Sequence, residues 1–161
     1  MIVLVMGVSG CGKSTVGEAL AQSMGCRFLD ADDFHPPENV AKMASGIPLT
    51  DDDRWPWLDR IGSELAAILA RGESAVLACS ALKEAYRQRL KRAGDVRIVY
   101  LKGDQATIAA RIAARSHQYM PPSLLPSQLA TLEEPADAIV VDLREPVAGE
   151  VERIRHALGV A

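Results

Sequence analysis

The sequence predicts an α/β fold: one five-stranded, mainly parallel sheet with helices on both faces. Three observations predict it. Short apolar runs alternate with stretches of helical periodicity along the 161 residues. The first run, Ile2 to Met6, is apolar throughout, as a strand buried on both faces requires. A glycine-rich turn carrying a lysine then separates that run from the first helical stretch. In open α/β sheets this is where phosphate binds.

The elements follow in order. After the first strand, a helix is expected from Lys13 until Gly25, a suitable C-terminal cap. Cys26 to Leu29 reads as a second strand ending in Asp30, and Glu38 to Ala44 as a short helix after Pro36 and Pro37. Thr50 and Asp53 have capping-box spacing, with Asp in place of the usual Glu or Gln. Behind them Trp57, Leu58, Ile61, Leu65, Ile68 and Leu69 recur at helical spacing up to Gly72. Ala75 to Cys79 is the third strand, with a helix over about 83–93 behind it. Val96 to Leu101 is the fourth, and Asp104 can cap a helix running to about Ser116. Ile139 to Val141 is the fifth, and a last helix starts near Val147. The chain, 1–161, reads as one domain, with a Pro-containing lid at about 115–126.

Composition narrows the partners. The net charge is −3 and no basic stripe is visible, so nucleic acid is not an expected partner. The apolar run at Met1 to Met6 is too short to span a membrane and lacks the flanks of a signal peptide. Cys11, Cys26 and Cys79 form no CxxC pair and no metal pattern with the three histidines. They are expected to be reduced, in a cytoplasmic protein.

Gly7-Val8-Ser9-Gly10-Cys11-Gly12-Lys13-Ser14 fits G-x-x-x-x-G-K-[ST], and Thr15 follows. The glycines let successive N–H groups turn toward one anion. Lys13 is placed to reach the β- and γ-phosphates of ATP, and the Ser14 hydroxyl to ligate Mg²⁺. Several kinds of protein carry this loop. A GTPase switch needs DxxG after a strand and NKxD. Asp59-Arg60-Ile61-Gly62 matches the first by letter but lies inside a helical pattern, and NKxD is absent. A motor or AAA-type ATPase needs more chain and a Walker B acid; Ile139-Val140-Val141-Asp142 looks like one but comes late.

A small-molecule kinase fits better. It needs an acid for the acceptor hydroxyl and cations that close over the phosphates. Asp30 and Asp32 end the second strand at the ligand edge of the sheet, and an extended i, i+2 pair points the same way. One would hold water on Mg²⁺ and the other accept the acceptor's proton; Asp30 is taken for the metal and Asp32 for the proton. Arg111 and Arg115 share a helix face before His117. Arg115 is the expected phosphate clamp, and Arg111 the adenine-stacking cation. A nucleotide-binding regulatory module without turnover is the alternative from another class.

Further segments carry a resemblance. They are Leu29-Asp30-Ala31-Asp32-Asp33-Phe34-His35-Pro36, Asn39, 42–46, Pro48-Leu49, Asp51-Asp52-Asp53-Arg54 and Pro56-Trp57-Leu58. Cys79-Ser80-Ala81-Leu82-Lys83, Tyr86-Arg87, 100–103, Arg111, Arg115, His117, Leu125, Ser127-Gln128 and Leu132-Glu133-Glu134-Pro135 follow. Across nearly its whole length the chain resembles the bacterial-type gluconokinases.

The resemblance implies a P-loop NTPase of the nucleoside monophosphate kinase-like type, a three-layer α/β/α fold close to shikimate kinase. It implies transfer of the ATP γ-phosphoryl group to the 6-hydroxyl of D-gluconate with Mg²⁺, in a cytoplasmic enzyme that forms a homodimer in many relatives. A related kinase of another aldonate or of shikimate is the alternative within enzymes. The chain departs from the family pattern at Cys11, usually Ser, and at Gln118, where an aromatic is common. Such a substrate wants a cation and several hydrogen-bonding groups. Arg54, His35, Ser80, Lys83 and Gln128 are the candidates, with Glu133 behind them. Trp57 falls on the apolar stripe and reads as core, while Trp55 could line the pocket.

Overall fold

The computed structural model of the chain describes residues 1–114 and 125–160. Five strands, β1 (Ile2–Met6), β2 (Arg27–Asp30), β3 (Ala75–Ala78), β4 (Val96–Lys102) and β5 (Ile139–Asp142), form one sheet in the order β2-β3-β1-β4-β5. Every neighbouring pair is parallel; Leu4 faces Leu77 on one side and Ile98 on the other. Seven helices are described: α1 (Lys13–Met24), α2 (Pro37–Ala44), α3 (Asp51–Ala70), α4 (Glu84–Lys91), α5 (Gln105–Ala113), α6 (Leu125–Thr131) and α7 (Val147–Leu158).

The layers follow from the period of β1. Ile2, Leu4 and Met6 point to one face and Val3 and Val5 to the other. On the first face they meet Leu58, Ile61, Leu65 and Ile68 of α3 and Tyr86 and Leu90 of α4. On the second they meet Val16 and Leu20 of α1, Ile108 and Ile112 of α5 and Ile154 of α7. All five β1 residues have no exposed surface, which is why the run shows no polar alternation. No described helix is long and apolar enough to cross a membrane.

Local signals explain the helix ends. Thr50 and Asp53 close the expected capping box at α3: the Thr50 side chain accepts the Asp53 N–H at 3.1 Å, and Asp53 accepts the Thr50 N–H at 2.9 Å. Gly25 ends α1 in the left-handed conformation, and Asp104 caps α5. Asp59 to Gly62 lies inside α3, so its match to a switch motif is coincidental. Trp57 is buried, and Cys11, Cys26 and Cys79 are not joined in disulfides.

Two expectations are corrected. The chain does not stay extended from Asp30 to Asp32; it enters a 3-10 turn over Ala31–Phe34, because the Asp30 carboxylate accepts the Asp32 N–H at 3.0 Å. The Pro-containing loop expected over about 115–126 is not loop to its end: Leu125 starts α6, with Pro126 in its first turn, where a missing N–H costs nothing. The lid expected at 115–126 lies almost wholly outside the described residues, and Arg115 with it.

Candidate active site

All five strands are parallel, so their C-terminal ends share one edge of the sheet. The loop 7–12 leaves β1 there, Asp30 ends β2, Ser80 follows β3 and Asp104 follows β4. The sheet's topology therefore gathers the candidates that the sequence scatters over a hundred residues.

The loop is built to approach an anion closely. Gly12 has φ 91° and forms the start of α1, with no side chain capping that end. Its first-turn N–H groups are therefore left to a ligand. Gly10 has φ 86°, and a Cβ there would lie 2.4 Å from Ile112 Cγ1 on α5. The backbone thus needs glycine for both conformation and room. Lys13 Nζ donates to the Val8 carbonyl at 3.0 Å, arching over the loop. Cys11, Gly7 and Val8 are buried beneath it, whereas Ser14 and Thr15 are exposed at its mouth and Ser9 is partly so.

Ser14 and Asp30 meet across the strand ends, the hydroxyl donating to Asp30 Oδ2 at 3.2 Å. One hydroxyl and one carboxylate suit Mg²⁺, which keeps several waters and takes its remaining oxygens from phosphates. Among the described residues no cluster of three or more His, Cys, Asp or Glu could cage a metal by itself. The donor set therefore fits a cation that arrives with a nucleotide.

Asp32 is the neighbouring acid. Desolvation by burial pushes its carboxyl up to about 6, with the Asp30 charge adding to the rise and Lys13 opposing it. Its side chain still keeps 47% of its surface open. It therefore combines access with a proton affinity near neutrality, which a general base needs. His35 Nε2 stands 3.9 Å from Asp32 Oδ1. The His35 ring is stacked 4.1 Å from Trp57, and Asn39 Nδ2 lies 3.2 Å from its Nδ1. Burial, with Arg54 nearby, pushes His35 down to about 4, so the ring is neutral at physiological pH. The structure places His35 as a buried prop behind Asp32, not as an open hydroxyl ligand.

A cleft of about 370 Å³ is lined by Pro48, Leu49, Asp51, Asp52, Arg54 and Lys83 among others, and Arg54 is the lining residue whose charge reaches His35. Ser127 and Thr131 of α6 also line it. In its lining Asp51 accepts hydrogen bonds from the Tyr86 hydroxyl and from Lys83 Nζ, the latter at 3.1 Å. Both donors hold the Asp51 carboxyl below its usual range. Arg54 Nη1 donates to the Leu49 carbonyl at 2.6 Å and to the Tyr86 hydroxyl at 3.1 Å. Two cations and several hydroxyl or carboxylate groups thus converge on one small polar space, the requirement for a polyhydroxy acid.

Gln128 is placed differently from the sequence expectation. Its Oε1 accepts the Ser9 N–H at 2.6 Å, so it ties α6 to the phosphate loop. Arg111 Nη2 donates to the Leu143 carbonyl, and its Nη1 lies 3.7 Å from where a Gly12 Cβ would be. It therefore spans the space between the phosphate loop and the turn after β5. In that turn Asp142 accepts the Arg144 N–H and guanidinium at 2.9 and 2.7 Å. This is an Asx-type turn with its own ion pair, which accounts for the acid at the end of β5.

Sequence reasoning gave no role to Asp51, Tyr86, Asn39 or Arg87. Tyr86 sits three residues after Lys83, in the first turn of α4, and that spacing, with its place in the resemblance, was the signal that could have found it. A larger concavity of about 950 Å³ lies between α1 and α7, and its lining includes none of the phosphate-loop residues.

Comparison with known proteins agrees with this geometry. Residues 2–135 match the family described as an AAA domain, a span that contains the phosphate loop and ends before Asp142. The gluconokinase of Gluconobacter oxydans is 50% identical over 137 residues, covering 84% of this chain and 76% of that protein. A gluconokinase structure from Sinorhizobium meliloti superposes with a TM-score of 0.88 at 46% identity, over 98% of this chain and 90% of the other. An unliganded sugar kinase from Janibacter gives 0.94 at 46% identity, over 99% and 95%. A shikimate kinase from Aquifex aeolicus, 20% identical with a TM-score of 0.66 over 99% and 96%, shares the fold. The phosphate loop, the strand-end acids and this similarity along most of its length place the chain in the gluconokinase family of P-loop kinases.

Proposed function

We propose that the protein transfers the γ-phosphoryl group of MgATP to the 6-hydroxyl of D-gluconate, giving 6-phospho-D-gluconate and ADP. The observation that carries this reading is the approach of Ser14 to Asp30 at 3.2 Å, with Asp32 two residues on, in a chain that also holds a polar cleft lined by Arg54 and Lys83. A nucleotide-facing pair and an acceptor-facing acid stand at one strand end.

The loop amides of 9–15 and Lys13 bind the phosphates. Ser14 and Asp30 would hold Mg²⁺, which supplies charge neutralisation on the phosphate oxygens. Lys83 and Arg54 hold the acceptor's carboxylate and inner hydroxyls, which directs the far hydroxyl toward Asp32. That hydroxyl oxygen forms a bond to the γ-phosphorus as the bridging oxygen to the β-phosphorus departs with ADP. The hydroxyl proton passes to Asp32. Arg115 is the proposed clamp on the transferring group and Arg111 the stacking partner of the adenine. The setting is cytoplasmic, and a homodimer is the proposed assembly.

A coupled ADP-release assay with MgATP and a panel of acceptors tests the reading. The panel holds D-gluconate, other aldonates, shikimate and nucleoside monophosphates. Release dependent on gluconate supports it; release with another acceptor reassigns the cleft; none with any acceptor, despite tight ATP binding, favours a regulatory module.

A further inference from the structure

Arg87 lies on α4 with 1% of its surface exposed, among the largest fully buried side chains of the fold. A buried guanidinium is tolerated only when its donors are used, and here all five are. Nη1 donates to the carbonyls of Ala81 and Leu82 at 2.7 and 3.1 Å. Nη2 donates to the Glu133 carbonyl at 2.8 Å and to Glu84 Oε2 at 2.9 Å, and Nε donates to the same carboxylate oxygen at 3.0 Å. Three of these five bonds end on main-chain oxygens of two separate loops.

The loop it grips is strained. Ala81 has φ 44°, and no other non-glycine among the described residues has a positive φ. The left-handed conformation is unfavourable for an alanine and persists only where the surroundings impose it. On one side of Ala81, the Ser80 carbonyl accepts the Gly7 N–H at 3.4 Å. On the other, Lys83 reaches Asp51 in the cleft. Glu133 pins the same turn from outside: its N–H donates to Leu82 at 2.8 Å, and its carboxylate accepts the Glu84 N–H at 2.9 Å.

We propose that Arg87 is a positioning residue for the acceptor: its guanidinium holds the strained turn at Ala81 and so fixes where Lys83 meets the substrate. A lysine cannot replace it, because one ammonium lacks the planar fork that reaches four oxygens at once. The inference rests on the reading of Lys83 as an acceptor-side group.

The test is Arg87→Lys, read by the KM for gluconate against the Kd for ATP. The expected result is a rise in the gluconate KM of about tenfold, as for loss of a charged hydrogen-bond set, with ATP affinity unchanged. Adding Ala81→Gly to that variant should recover part of the loss, since glycine holds a positive φ without the guanidinium. A lowered melting temperature with an unchanged KM, an equal loss of both affinities, or no recovery with glycine would overturn the proposal. If Arg87→Lys does not fold, Glu84→Gln serves, since it weakens two of the five bonds from a half-exposed position. A gluconate KM raised about threefold supports the clamp on the same scale, and an unchanged one overturns it. Failure of the parent enzyme to respond to gluconate would instead sink the substrate reading, and the same KM comparison would then be made with the acceptor that does respond.

Discussion

The Ser14 hydroxyl lies 3.2 Å from Asp30 Oδ2, while Oδ1 of the same carboxylate accepts the Asp32 N–H at 3.0 Å. One side chain thus links the phosphate loop to Asp32, the acid proposed to serve the acceptor. Asp30→Asn should therefore weaken nucleotide-linked Mg²⁺ and misplace Asp32 together. The expected outcome is a rise in the Mg²⁺ concentration for half-maximal rate, with kcat lowered about tenfold or more. Titration of the rate with Mg²⁺ at fixed ATP checks it. An unchanged Mg²⁺ requirement would remove Asp30 from the metal site.

Asp32→Asn should lower kcat by about 10²- to 10⁴-fold, the usual scale for a general base, while leaving the Kd for ATP near that of the parent. In the parent, kcat/KM should fall as pH drops through about 6, because protonated Asp32 cannot accept the hydroxyl proton. Rate profiles from pH 5 to 8 read this limb directly.

Stability against pH gives an independent check on the same pair. Asp32 rises from 3.8 to about 6 on folding, so the folded state binds more protons in that window and Asp32 costs stability as pH rises through it. His35 falls from 6.5 to about 4, so the unfolded state binds more protons there and stability is lost as pH drops. The two slopes oppose each other between pH 4 and 6. Asp32→Asn should therefore raise the melting temperature at pH 7 and show a steeper loss on acidification than the parent. Thermal melts at pH 7 and pH 5 decide it; a lowered Tm at pH 7 would contradict the desolvation of Asp32.

Lys83→Ala removes a cation from the cleft and leaves Asp51 with the Tyr86 hydroxyl. The KM for gluconate should rise about 10- to 100-fold, the scale of a charge-assisted contact, and the KM for ATP should hold. An equal rise in both would place Lys83 outside the acceptor site.

Gln128→Ala should act on the nucleotide side, because its amide oxygen holds the Ser9 N–H. The KM for ATP is expected to rise about tenfold and more than the KM for gluconate. The reverse ranking would restore Gln128 to the acceptor pocket.

The fold was legible because its signals are local. The apolar run of β1, the glycine-lysine loop and the Thr50–Asp53 cap each lie within a few residues of chain. The turn at Asp30 was not, because a side chain competing for a backbone N–H leaves no trace in hydrophobic periodicity. Helix α6 was hidden by its brevity and by Pro126, which reads as a breaker except in a first turn. In the site, the phosphate loop and strand-end acids could be read from motif and topology. The bonds joining Asp51 to Tyr86 and Arg87 to Glu133 cross 35 and 46 residues of sequence, and only packing brings those groups together.

The central claim is a phosphoryl transfer to one hydroxyl, and ³¹P NMR of the reaction products tests it most directly. With MgATP and D-gluconate, the account predicts ADP and a single phosphate monoester whose phosphorus couples to the C6 methylene protons, and no such ester with Asp32→Asn over the same time. Inorganic phosphate in place of the ester, or an ester at another carbon, would contradict it.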